Sequence, residues 1–192
     1  MSMTQIIKVI GIDPSLAHTG LCKVTINAAT LEMEVEDLVL IKTEKSKDKR
    51  VRASYSDYER AREIHRAIQL ASMDASLAIA EMPQGSQSAR AAASYGVCIG
   101  VLSTISLPLI QVSPIEVKLA TVGKKTASKE QMIDWAMTHH PDAPWLYDIH
   151  KGAKRLLLSN EHLADAVAAV AAGIKTDQFQ SALSMMHSMK AA

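Results

Sequence analysis

The segment IIKVIGID, residues 6–13, is apolar from Ile6 to Ile12 apart from Lys8, and it ends in a carboxylate. Pro14 follows, and Gly20 comes a few residues later. An apolar run of this length, closed by turn residues, reads as a strand buried in a sheet. Burying an ionised carboxylate without a partner is expensive. Asp13 therefore needs either a pairing group or a ligand, and any fold assigned to the chain has to supply one.

The rest of the chain sorts by period. Residues 20–43, GLCKVTINAATLEMEVEDLVLIKT, are rich in Val, Ile, Leu and Thr with partial alternation. They predict two more strands with a turn near Asn27 to Thr30, so the first three strands form an antiparallel meander. Residues 42–54 are a charged, mostly basic excursion with no apolar period. A helix then runs from about Tyr55 to Met73, with Tyr58, Ala61, Ile64, Ile68 and Leu70 on one broad face and Ser54 or Ser56 as its cap. ASLAIAEMPQG, residues 75–85, is a short strand ending in a second lone acid, Glu81, and stopped by Pro83 and Gly85. Residues 86–106 read as a helix of small residues, residues 107–114 as a strand, and PIEVKLA as a short helix. After a loop at 121–128, Ser128 caps a helix over 128–140. Two prolines and a glycine make 141–160 an irregular connection. NEHLADAVAAVAAGIKT, residues 160–176, is an amphipathic helix opening on acids, and a Met-rich, helix-prone tail covers about 176–190.

Three meandering strands followed by alternating helix and strand give an α/β fold: a mixed five-stranded sheet, antiparallel then parallel, flanked by helices. That is the layout of a ribonuclease-H-like domain, and 192 residues suit one such domain. In that layout the first and fourth strands are neighbours, which sets Asp13 beside Glu81. A late helix crossing their ends adds Asp165, and His162 three residues earlier shares its face. Carboxylates gathered this way repel one another unless cations neutralise them. Mg²⁺ favours oxygen ligands and keeps several waters, and two ions about 4 Å apart can hold a phosphodiester between them. Taken singly, a strand-end acid is more ordinarily a cap or a loop ion pair, and a lone histidine a satisfied surface group. Their coincidence in one topology is what points to a metal-dependent phosphodiesterase.

Four motifs, in order, also resemble a known family, the RuvC-type Holliday junction resolvases. IGIDPSLAHTG is similar to the family's first motif, LAIAEMPQG to the second, VSPIEVKLATVGKKTASKEQM to the third and EHLADAVAAVAAG to the fourth. The resemblance implies a homodimeric, Mg²⁺-dependent endonuclease for four-way junctions or other branched DNA, with Mn²⁺ as a substitute ion. It maps Asp13, Glu81, His162 and Asp165 onto catalytic metal ligands and Lys118 and Lys129 onto two functional lysines. It also assigns the dimer contact to the helix at 86–106. Ser15 stands where the family has glycine, and Gln84 stands where cellular members carry an aromatic that handles the junction. The long segments at 42–54 and 141–160 resemble the divergent members found in bacteriophages.

Net charge is only +1, so DNA contact has to come from local clusters. The first holds Lys45, Lys47, Lys49, Arg50 and Arg52, the second Lys124, Lys125 and Lys129, and a third Lys151, Lys154 and Arg155. The first two, with Gln84, are the expected DNA face. Cys22 and Cys98 match no zinc spacing and are expected to be buried thiols. No apolar stretch is long enough to span a bilayer, so no membrane partner and a cytoplasmic location are expected. Three other readings remain open on sequence: an actin-like or sugar-kinase-like ATPase, a non-catalytic DNA-binding protein on the same fold, and ribonuclease H proper.

Overall fold

Residues 5–82, 84–86, 88–150 and 152–191 are described by the computed structural model, residues 187–191 through their backbone alone; Pro83 and Lys151, singled out above, lie outside them. The first strand, β1 (Ile6–Asp13), is buried on both faces from Val9 to Ile12. Only a central strand buries both faces at once. β2 (His18–Asn27) pairs antiparallel with β1, and β3 (Met33–Lys42) pairs antiparallel with β2. On the other side β4 (Leu77–Glu81) runs parallel to β1, and β5 (Leu109–Val112) runs parallel to β4. The order is β3-β2-β1-β4-β5, the mixed sheet expected from the pattern.

Two apolar layers sandwich this sheet. α1 (Ala53–Ser72) and α2 (Ala89–Leu102) cover the face that carries Ile10, Ile12 and Leu21. α3 (Pro114–Thr121), α4 (Lys129–His139) and α5 (Asn160–Gly173) cover the face that carries Val9, Cys22 and Ile79. The starts of α3 and α4 are encoded locally. Ser113 with Glu116 and Ser128 with Gln131 each form a reciprocal capping box, and Pro114 adds a preset first turn to α3. α6 (Asp177–Ala191) follows and buries Phe179 on the same core. Cys22 and Cys98 are free and buried, as expected. Among the described residues, no helix is long and apolar enough to cross a membrane.

The structure corrects the sequence reading at three elements. α1 begins at Ala53 with Arg52 at its N-cap position and no side-chain cap; Ser56 instead accepts a hydrogen bond from the Ser46 amide. Its buried face is Ser56, Arg60, Ile64, Ile68 and Ala71, while Tyr58 and Leu70 are exposed. Ile64 and Ile68 are buried and Ala61 packs against the same core, as expected, but Tyr58 and Leu70 leave the face because α1 buries Ser56 and Arg60 to hold a loop. α5 is not a one-faced helix: from Leu163 to Gly173 every residue except Asp165 is buried, because it lies across the sheet beneath α3 and α4. The connection at 141–160 is not irregular throughout. β6 (Tyr147–His150) and β7 (Ala153–Leu156) form a separate hairpin, with Gly152 at φ +80° in its turn.

Candidate active site

Strand pairing settles the first contact. Ile12 of β1 is in register with Ala80 of β4, so the next residues on each strand, Asp13 and Glu81, leave the same sheet edge side by side. Asp13 also pairs with Gly20 on β2. A Cβ on Gly20 would fall on the backbone carbonyl of His162, and a Cβ on Gly11 would fall on Cys22, Val170 and the Ala166 carbonyl. These two bare positions let α5 lie directly on β1 and β2. Its first turn then reaches the acidic edge, and the His162 Nδ1–H donates to Asp13 Oδ2 at 3.0 Å.

Electrostatics reports the crowding. Burial, then Asp13 and Asp165, push Glu81 up to about 8, with Lys118 opposing them. Burial, then Asp13, push Asp165 up to about 7, against His162 and Lys129. The hydrogen bond it donates to Asp13 holds the His162 imidazole above its ordinary value in spite of burial. Two carboxylic acids that resist ionisation in one cleft mark a place short of positive charge.

Two neighbours went unnoticed in the sequence. Glu161 bridges the site, with one oxygen 3.4 Å from His162 Nε2 and the other 3.0 Å from Lys129 Nζ. That bond raises the Lys129 ammonium above its usual value. His18 stacks on His162, ring centroids 5.3 Å apart and 7° from parallel. Glu161 could have been found from helical position, one residue before His162. His18 could have been found only from the β1–β2 register, which brings the start of β2 to the end of β1.

A buried polar clamp fixes the loop after Asp13. The Arg60 side chain, the one buried charge among the described residues, donates from Nη2 to the Leu16 carbonyl at 2.8 Å and from Nε to Thr43 Oγ1 at 2.9 Å. Its Nη1 reaches Asp57 at 3.3 Å, and Arg90 at the start of α2 grips the same carboxylate at 2.6 and 2.7 Å. Asp57 is held below the usual carboxylate range, first by Arg90. The clamp joins the loop that leaves Asp13 to the helix that follows Glu81.

Six expected residues thus meet: Asp13, Glu81, His162 and Asp165 at the centre, with Lys118 and Lys129 at the rim. Lys45, Lys47, Lys49, Arg50 and Arg52 stay exposed on the 42–52 segment, where Lys47 pairs with Glu44 and Arg50 with Asp48. Lys124, Lys125 and Gln84 are exposed as well. Among the described residues no group of three or more histidine, cysteine, aspartate or glutamate side chains is placed to hold a metal ion between them. An Mg²⁺-type site does not require one, since that ion binds through one or two carboxylates and retains waters. The donor set is hard oxygen with one imidazole, and the raised Glu81 and Asp165 fit a divalent cation in chemistry.

A family model described as crossover junction endodeoxyribonuclease RuvC matches residues 9–140, ending before β6. No curated protein matches the chain. Among solved structures, RuvC of Thermus thermophilus in complex with a Holliday junction substrate is 22% identical with a TM-score of 0.62, over 86% of this chain and 92% of that one. The Thermus thermophilus RuvC structure gives 22% identity and a TM-score of 0.61, over 88% and 92%. At that identity these two structures speak to the fold, and the family match speaks to the family.

Proposed function

Because the chain belongs to the RuvC family of crossover junction endodeoxyribonucleases, we propose that it cuts four-way or otherwise branched DNA at the edge where Asp13, Glu81, His162 and Asp165 meet. The family assignment displaces the ATPase and ribonuclease H alternatives. RuvC-family nucleases depend on a divalent metal, and Mg²⁺, two ions per site, is the ion we assign here, with Mn²⁺ as a substitute. When bound, Mg²⁺ supplies positive charge for the phosphate oxygens and lowers the pKa of a coordinated water.

The chain's own residues divide the remaining work. Asp13, Glu81 and Asp165 would hold the ions through carboxylate oxygens. His162 is kept in one orientation by its Nδ1–H bond to Asp13 and by the His18 ring on its face. Its Nε2, which faces Glu161, is the atom at which a proton is held or released beside the phosphate. Lys129 and Lys118 bring ammonium charge to the rim, where negative charge develops in the transition state. Lys45, Lys47, Lys49, Arg50, Arg52, Lys124, Lys125 and Gln84 would take the flanking duplex arms. The exposed side of α2, with Gly96 and Gly100 open to solvent, would meet its mate in a two-fold dimer, which suits two symmetric nicks.

The observation that carries this reading is the geometry of one strand end: the β1–β4 register sets Asp13 beside Glu81, and the first turn of α5 brings His162 onto Asp13 at 3.0 Å. The test is cleavage of a labelled four-way junction in Mg²⁺ and Mn²⁺, with linear duplex, flap and RNA–DNA hybrid as controls. Paired symmetric nicks that disappear in Asp13→Asn are expected. A folded protein that cuts none of these substrates would overturn it.

A further inference from the structure

The β6–β7 hairpin stands apart from the main sheet, yet its root is rigid. Asn160, fully buried, accepts from the Leu146 amide at 2.9 Å and donates to the Leu146 and Leu157 carbonyls at 2.7 and 2.8 Å. The next two residues are Glu161 and His162. The hairpin is thus fixed to the first turn of the helix that serves the site.

Strand alternation divides its side chains. Tyr147, Ile149 and Lys154 share one face, with Lys154 Nζ 3.9 Å from the centre of the Tyr147 ring. Ile149 is 82% exposed. On the other face Arg155 pairs with Asp148. Between residues 155–159 and the end of β3 runs a groove of about 470 Å³, with Lys42 and Arg155 among its walls. Lys42 is the register partner of His18, the histidine stacked on His162. Hairpin and groove therefore border the site directly.

We propose that this hairpin and groove form a contact arm for the DNA strand next to the phosphate to be cut, the groove taking its backbone and the Tyr147–Ile149 face taking an unstacked base at the branch. The proposal rests on the reading that the site acts on branched DNA, and it names where the branch itself is felt. Charge favours this occupant: Lys42, Lys154 and Arg155 outnumber Asp148, as a polyanion requires. Continuity favours it too, because a strand entering the site has to pass its border. A continuous duplex hides its base faces by stacking. A branch point exposes them, and an aromatic and an aliphatic side chain flanked by cations offer such a base a surface.

The test uses the thiols of the protein. Cys22 and Cys98 are buried, and burial pushes them up to about 12 and about 11, so a thiol introduced by Ile149→Cys is the reactive one. In an Asp13→Asn background, this variant is mixed with four-way junctions carrying one disulfide-tethered base at stepped distances from the branch. Cross-linking confined to positions within about two nucleotides of the branch is expected. Met73→Cys, on a residue 81% exposed just before β4, at the end of the strands away from Asp13, should give none. Separately, Tyr147→Ala with Ile149→Ser should cut the preference for junction over linear duplex about tenfold. A junction that binds but cross-links nowhere, or equally everywhere, overturns the arm while leaving the proposed activity standing. Disulfide-linked protein pairs through the introduced thiol, formed without DNA, overturn it in favour of a second copy on this face. No junction binding by the parent protein overturns both readings.

Discussion

Glu81 is the residue whose chemistry is most altered by its setting. Its acid is pushed up to about 8 from an ordinary value of 4.5, chiefly by burial. Between those values the folded chain binds a proton that the unfolded chain has released, so stability falls as pH rises. The contribution is fully present below about 4.5 and is lost as pH passes through about 8; Asp165, raised to about 7, acts in the same sense. The metal-free protein should therefore lose Tm between pH 5 and 8.5, and Mg²⁺ should restore it at the alkaline end. Glu81→Gln should raise the metal-free Tm at pH 8 by about 5 °C, flatten the pH dependence and abolish cleavage. Calorimetry with and without Mg²⁺ checks all three; a variant that melts lower than the parent at pH 8 would contradict the argument. Asp13 and Glu81 were legible because each ends an apolar run. His18 was not, because its importance comes from a partner 144 residues away, His162, and Glu161 was signalled only by its place beside His162, its pairing with Lys129 32 residues away being invisible in the sequence.

At the level of elements, the site depends on how closely α5 approaches the sheet. Gly20 has no room for a side chain beneath the His162 carbonyl. Gly20→Ala must lift the first turn of α5 and draw His162 away from Asp13. The expected result is a loss of about 2–3 kcal/mol, in the range of overpacking a tight core, with cleavage reduced more than the fold. Urea unfolding and junction cleavage on one preparation distinguish the two, and full activity in the variant would show that the helix tolerates the shift. The partly polar buried face of helix α1 also depends on a distant contact. Its pattern promised an apolar stripe with Tyr58 and Leu70, whereas the fold turns Arg60 inward to reach Leu16 and Thr43. A period counts apolar residues and cannot register that a carbonyl on a distant loop needs a donor.

For the molecule as a whole, the predictions concern symmetry and charge. A Cβ on Gly100 meets nothing within 4 Å, so Gly100→Arg should leave the single chain folded. On the dimer reading it should yield a monomer by light scattering and replace paired nicks with single ones; an unchanged dimer would move the interface off α2. Neutralising Lys47, Lys49, Arg50 and Arg52 together should weaken junction binding and reduce its salt slope by about 3 to 4. All four are exposed at the edge where Thr43 is tied to the loop after Asp13. Binding with an unchanged salt slope would remove the 42–52 segment from the DNA face.

By itself the sequence determined the sheet, the helices α3 and α4 with the capped start of α4, and the placing of the candidates Asp13 and Glu81 at strand ends. All of these are written in local terms: apolar runs, capping pairs and acids placed where runs stop. Tertiary structure alone decided the rest. How near α5 comes, why α1 buries an arginine and why β6 and β7 pair as a hairpin beside His162 all depend on contacts between distant parts of the chain. Packing and charge compensation act through space, and their range along the chain is set only when it folds.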